Sequence, residues 1–160
     1  HLSIRRQRQM CIRDSIRSLN NIGSIFRTCD AFLVSKIYLC GITAQPPNRK
    51  INKTALGSTE SVEWEYFKST KKIIEKLKSK GVKIWSIEQV ENAKKLHQIE
   101  EIDKGIEHAV VFGNEIKGVS QEIIDISNNT IEIDQYGTKH SLNVTVAAGI
   151  VVWKFYNSLN

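Results

Sequence analysis

An α/β fold, a mostly parallel sheet flanked by helices, is what this sequence predicts, and three observations predict it. Short apolar runs such as "VKIWSI" and "HAVVFG" have the character of strands buried on both faces. Stretches with apolar residues at helical spacing separate those runs. Strands alternating with helices need crossover connections, which build parallel rather than meandering sheets. At 160 residues the chain is long enough for one domain with a sizeable core.

The elements follow in order. "NIGSIFRTCDAFLV" sets Ile22, Ile25, Phe26, Cys29 and Phe32 or Leu33 on one helical face, with Asn20 or Asn21 as N-cap. "KIYLCGI" is a short strand closed by Gly41. "TAQPPNRKINKTALGS" reads as a long loop carrying both prolines. "VEWEYF" alternates like a strand. "STKKIIEKLKSKG" is a helix with a Ser/Thr cap, apolar positions at Ile73, Ile74 and Leu77, and a terminal Gly81. After the strands "VKIWSI" and "HAVVFG" come a short helix in "VSQEIIDI", a last strand in "TIEI" and a final helix over residues 141–157. No internal repeat, low-complexity tract or linker interrupts the series.

Composition narrows the class. The apolar fraction of 41% and charged fraction of 25% are those of a soluble globular protein. The longest apolar run, Val144 to Tyr156, is broken by Thr145 and Lys154 and falls short of the roughly 20 residues a membrane span needs. Cys11, Cys29 and Cys40 form neither a CxxC pair nor a disulfide framework, which points to a reduced, cytoplasmic setting. The net charge is +6, and half of it comes from residues 1–15, where Arg5, Arg6, Arg8 and Arg13 face Asp14 alone. That segment has no clear period. It is expected to be non-native or disordered, outside a domain spanning 16–160, with a phosphate-gripping basic arm as its alternative.

In sheets of this class, ligands sit beyond the carboxyl ends of the strands, where loops enter helices. Three polar clusters fall at such places: Asn21 with Arg27 in the first helical segment, "FGNEIKGVS" after the strand "HAVV", and "DQYGTKHSLN" after the strand "TIEI". Taken singly, a glycine after a strand is a turn, an Asn at a helix start is a cap and an arginine is a solvated cation. Their common placement is what makes them candidates.

"NIGSIFRTCDAF", "VVFGNEIKGVS" and "IEIDQYGTKHSLNVTVAAGI" resemble, in order and spacing, the three signature motifs of SpoU-type RNA 2′-O-ribose methyltransferases of the SPOUT superfamily. The resemblance runs from about Ile16 to the C-terminus and is most specific in the SLNV-type third motif. It implies a deep trefoil knot at the C-terminal end, a rare exception to unknotted topology. It also implies a homodimer, S-adenosylmethionine as methyl donor and transfer or ribosomal RNA as substrate, with no membrane, DNA or metal partner.

Residue by residue, the resemblance places the cofactor against backbone groups at Ile87, Gly113, Ile133, Gly137 and Leu142. Glycines there let main-chain atoms approach closely. Core packing is the bland alternative for Ile133 and Leu142. Arg27 matches the arginine at the ribose hydroxyl; as a permanent cation it stabilises the developing alkoxide rather than accepting the proton. Asn21 is expected to position Arg27 or the ribose, and Glu115 to orient Arg27 through a charge-assisted pair. Ser141 and Asn143 are expected to bring side-chain hydrogen bonds to the methyl-transfer centre, with a plain helix cap as the rival role of Ser141. His140 has a pKa suited to a general base and ranks behind Arg27. Arg49, Lys50, Lys53, Lys117 and Lys139 are the candidate RNA contacts.

Two departures stand out. Asp134 takes the place of the proline usual after the third motif's isoleucine, and "MCIRDSIRS" is a poor version of the strand that precedes the first motif. A chain lacking that strand would leave a sheet edge unpaired. The rivals are a catalytically weak RNA-binding or assembly factor on the same fold, and a doubly wound nucleotide-binding protein. The second is weakened by the absence of GxGxxG or a P-loop.

Overall fold

The computed structural model describes residues 9–139 and 141–160. Its strands are β1 (Gln9–Asp14), β2 (Lys36–Cys40), β3 (Glu63–Phe67), β4 (Lys83–Ile87), β5 (Lys94–Lys95), β6 (His108–Phe112) and β7 (Asn129–Glu132). Its helices are α1 (Leu19–Ala31), α2 (Arg49–Ala55), α3 (Ser58–Ser61), α4 (Thr70–Ser79), α5 (Gln121–Ile126) and α6 (Val144–Leu159). The strands form one sheet in the order β3-β2-β1-β6-β4-β7-β5 with every pairing parallel. One face packs Ile22 and Phe26 of α1, Ile51 of α2 and Val151 and Phe155 of α6; the other packs Ile73, Ile74 and Leu77 of α4 and Ile123 of α5. A sheet covered on both faces needs strands that are apolar throughout. β6, buried at all five positions, meets that condition.

The expected strands and helices recur, with four corrections. Gln9–Asp14, expected to stand outside the domain, is an interior strand between β2 and β6. Without it both neighbours would keep unpaired backbone groups in the middle of the sheet, and Met10, Cys11 and Ile12 fill buried sites. Arg13 is drawn in with them. It is 1% exposed with its guanidinium 4.2 Å from the Phe112 ring centroid, and its three nitrogens have no hydrogen-bond partner among the described residues. Residues 1–8 lie outside the described residues.

The presumed long loop contains α2 and α3. Asn48 caps α2, its Oδ1 accepting from the N–H groups of Lys50 (2.9 Å) and Ile51 (3.3 Å), and Ile51 and Ala55 supply a buried stripe one turn apart. The stripe packs on α1 at Gly23, where a Cβ would come within 2.2 Å of the Ile51 carbonyl oxygen. The N-cap of α1 is Ser18, whose Oγ accepts from Asn21 N–H at 3.2 Å, and not Asn20 or Asn21. Ser18 has the extended backbone a cap requires, whereas both asparagines already lie in the helix. The final helix begins at Val144 with Asn143 as its cap, so Ser141 does not cap it.

Candidate functional site

The loops after β4, β6 and β7 enclose a cavity of about 360 Å³, a size suited to a small organic ligand. It lies where open parallel sheets hold ligands, at the carboxyl ends of the strands. Ile87 ends β4, Gly113 follows β6 and Ile133 follows β7, and all three line it. Leu142 and Ser141, just ahead of α6, close another side. Glu88, Glu115, Glu132 and Lys117 are the charged residues of the wall, a three-to-one excess of carboxylates.

The post-β6 turn is shaped by Asn114. Its Oδ1 accepts from Ile116 N–H (2.9 Å) and Lys117 N–H (3.0 Å), while its backbone exchanges hydrogen bonds with Gly118 at 3.2 and 2.9 Å. The turn closes so tightly that a Cβ on Gly113 would meet Gly118 backbone atoms at 2.2 Å. Gly118 has φ +67, the left-handed region that favours glycine. Glu88 ties this turn to the post-β4 loop, its Oε2 accepting from Val119 N–H at 2.9 Å.

From the same turn Glu115 reaches the start of α1. Its carboxylate accepts from the N–H groups of Arg17 (3.2 and 3.1 Å) and Ser18 (3.0 Å) and from Asn21 Nδ2 (3.4 Å). Burial alone would raise its pKa. The backbone N–H bonds from Ser18 and Arg17 outweigh burial, with the Asn21 amide assisting, and the carboxyl sits below the usual range. A carboxylate at a helix N-terminus is also favoured by the helix dipole. Glu115 therefore joins the first and second motifs, but through the start of α1. The expected Glu115–Arg27 pair is corrected: the carboxylate is taken up by the backbone N–H groups of Arg17 and Ser18 at the start of α1, nine to ten residues before Arg27, and by the Asn21 amide.

The sequence model of the SpoU rRNA Methylase family matches residues 10–153. This chain belongs to that family. Among relatives of this SpoU-family chain is a tRNA (guanosine(18)-2′-O)-methyltransferase of Aquifex aeolicus, 33% identical over 94% of this chain and 70% of that protein. Another is the 23S rRNA (guanosine(2553)-2′-O)-methyltransferase RlmP of Bacillus subtilis, 28% identical over 91% of this chain and 57% of that protein. The crystal structure of the A. aeolicus TrmH/SpoU tRNA modifying enzyme superposes with a TM-score of 0.83 at 28% identity, covering 96% of this chain and 76% of the other. An AdoMet-bound rRNA methyltransferase from Sinorhizobium meliloti has the same fold, with a TM-score of 0.87 at 24% identity, and this chain spans 57% of its length.

The cavity of the SpoU-family chain thus gathers Ile87, Gly113, Ile133 and Leu142 of the expected cofactor contacts, with Glu115, Ser141 and Lys117. It does not gather the others. Asn21 touches it only through Glu115. Arg27 is exposed on α1 and outside the lining. Asn143 is engaged in capping α6, its Oδ1 accepting from Thr145 N–H at 2.8 Å and from the Thr145 hydroxyl. Gly137 lies outside the lining, and a Cβ there would meet nothing within 4 Å, so close approach does not explain this glycine. Arg49, Lys50 and Lys53 are exposed on α2, and Lys139 is exposed in the third-motif loop. His140 lies outside the described residues. Glu88, Asn114 and Gly118 were not singled out from sequence; the one available signal was the Gly113/Gly118 spacing around an Asn-led turn.

Asp134 proves to be anchored. Lys95 of β5 places its ammonium 2.6 Å from Asp134 Oδ1 and also pairs with Glu132. The Lys95 ammonium leads the causes that hold the Asp134 carboxyl below its usual range. The two-residue strand β5 has no apolar period in "KK" to mark it in the sequence.

Proposed function

We propose that this chain is an S-adenosylmethionine-dependent RNA methyltransferase acting on a ribose 2′-hydroxyl of transfer or ribosomal RNA, in the cytoplasm. The observation that carries the reading is the cavity itself. Loops of the second and third motifs converge on it at the carboxyl ends of β4, β6 and β7, in a chain whose family relatives are 2′-O-methyltransferases by name. The residues suit the cofactor. Ile87, Ile133 and Leu142 offer apolar surface for an adenine, and the surplus of carboxylates suits a sulfonium cation. When bound, S-adenosylmethionine supplies the electrophilic methyl carbon.

The chain's own residues align and polarise the hydroxyl. Arg27 stabilises the alkoxide as the proton leaves, and an RNA phosphate is a candidate to share in that transfer. Glu115 fixes the cavity turn against α1, the helix that carries Asn21 and Arg27. Ser141 hydrogen-bonds at the transfer centre, and Gly137 and Asn143 shape the loop around it. Because Arg27 stands outside the cavity of its own chain, the reading requires RNA docking or a second copy to bring it to the ribose.

A homodimer fits this requirement. Val146, Ile150 and Trp153 lie on one exposed face of α6, with Leu142 just ahead of it, at 50, 38, 54 and 37% exposure. The trefoil threading implied by the resemblance would pass residues 133–143 against the post-β4 and post-β6 loops, and all three segments contribute to one cavity wall. Arg49, Lys50, Lys53, Lys117 and Lys139 are the proposed phosphate contacts, so RNA affinity should fall steeply with salt.

The test is nucleoside mass spectrometry of tRNA and rRNA incubated with the purified chain and S-adenosylmethionine. A 2′-O-methyl mark is expected, and its absence with RNA binding retained would favour the assembly-factor reading. Arg27→Ala should lower the rate by roughly 10²-fold or more while leaving cofactor affinity within about twofold.

A further inference from the structure

The loop after β7 holds an aromatic ring for which neither the core nor the cofactor cavity has a use. Tyr136 is 89% exposed, between Gln135 and Ser141, which both line the cavity. Its hydroxyl is nevertheless tied down, donating to Asp134 Oδ2 at 3.2 Å. Asp134 is held in turn by Lys95, 2.6 Å from Oδ1, and faces His97, whose Nδ1 stands 3.9 Å from Oδ2. Lys95 also pairs with Glu132 of the cavity wall, so the tether leads back to the site. One end of the tyrosine is anchored by polar contacts while the ring stays in water.

A solvated aromatic ring is unremarkable when it moves freely. A ring ordered in advance at the mouth of a cavity has already met part of the entropic cost of binding a flat partner. Nucleobases are such partners, and they stack on aromatic side chains with little dependence on base identity. We propose that Tyr136 is the stacking platform for the base of the nucleotide whose ribose enters the cavity. Asp134, held by Lys95, is the positioning residue that aims the ring. This rests on the reading of the chain as an RNA methyltransferase. It also provides a function for the carboxylate that replaces the usual proline.

The experiment uses the whole chain with a short single-stranded RNA carrying one 2-aminopurine, alongside total tRNA and rRNA as methyl acceptors. Tyr136→Ala should weaken RNA binding and raise the RNA KM roughly tenfold or more. It should abolish 2-aminopurine quenching and leave kcat and S-adenosylmethionine affinity within about twofold. Tyr136→Phe keeps the ring but loses the hydroxyl tether and should fall between wild type and Tyr136→Ala, and Asp134→Ala, which removes the same tether from the other side, should match it. Unchanged RNA affinity in Tyr136→Ala overturns the proposal, as does a Phe variant as defective as Ala. A parallel loss of cofactor affinity also overturns it, because the residue would then be shaping the cavity. If the wild-type chain leaves no 2′-O-methyl mark, the functional reading fails, while the stacking role is still decided by the binding and quenching ratios.

Discussion

Replacing Arg13 by leucine tests how this core tolerates a cation on an interior strand. Taking a guanidinium out of water costs several kcal/mol, and the Phe112 ring returns on the order of 2 kcal/mol through the cation–π contact. None of its three nitrogens has a hydrogen-bond partner among the described residues, so the balance is unfavourable. Arg13→Leu should raise stability by roughly 1–3 kcal/mol, several degrees in thermal unfolding; an unchanged or lower midpoint would mean that the charge is compensated. His108 gives a second expectation. It is fully buried, accepting from Trp85 Nε1 at 3.1 Å on Nδ1, which leaves the proton on Nε2 facing the Asp103 carbonyl at 2.6 Å. Burial lowers its pKa, the Asp103 carbonyl opposing. With the folded pKa below the ordinary value of about 6.5, its contribution is complete above that pH and is lost as pH falls through the lowered value. Thermal unfolding should therefore show a decline below about pH 6.5 that His108→Gln reduces.

At the scale of elements, the post-β6 turn leaves no room for a side chain at its first residue. A methyl group on Gly113 would strike Gly118 C and O at 2.2 Å and Val119 N at 2.4 Å, all of them backbone atoms that cannot rotate away. Gly113→Ala should cost about 1–3 kcal/mol, the usual range for overpacking, and should weaken S-adenosylmethionine binding in calorimetry because the displaced turn is a cavity wall. α2 illustrates the converse. The two prolines ahead of it make the stretch read as loop, yet a capped turn with Ile51 and Ala55 inward becomes a helix once α1 offers a surface at Gly23.

For the whole molecule the exposed apolar stripe of α6 is the feature that bears on assembly. Trp153, 54% exposed on the same face as Val146 and Ile150, is the largest apolar side chain of that stripe. Trp153→Glu places a charge at the proposed dimer seam. If the proposed dimer forms, sedimentation should report a dimer for the wild type and a monomer for the variant, with thermal unfolding of the monomer little changed and methylation reduced. A wild-type chain that is already monomeric would remove the dimer from the mechanism.

Much of this was legible in the sequence because it is local. Periodicity over a few residues located the apolar cores of β2, β4, β6, α1 and α4, and the second and third motifs could be set at the strand ends where the cavity opens. The resemblance supplied Ile87, Gly113, Ile133, Leu142 and Ser141, which the fold brings around one space. What only the tertiary structure decided depends on partners far apart along the chain. Glu115 finds Arg17 N–H, 98 positions away, and not Arg27. Lys95 finds Asp134. "MCIRD" becomes an interior strand because β2 and β6 present unpaired backbone on either side. Pattern reports what a segment prefers when alone; hydrogen-bond and charge partners are selected only when the chain has closed around them.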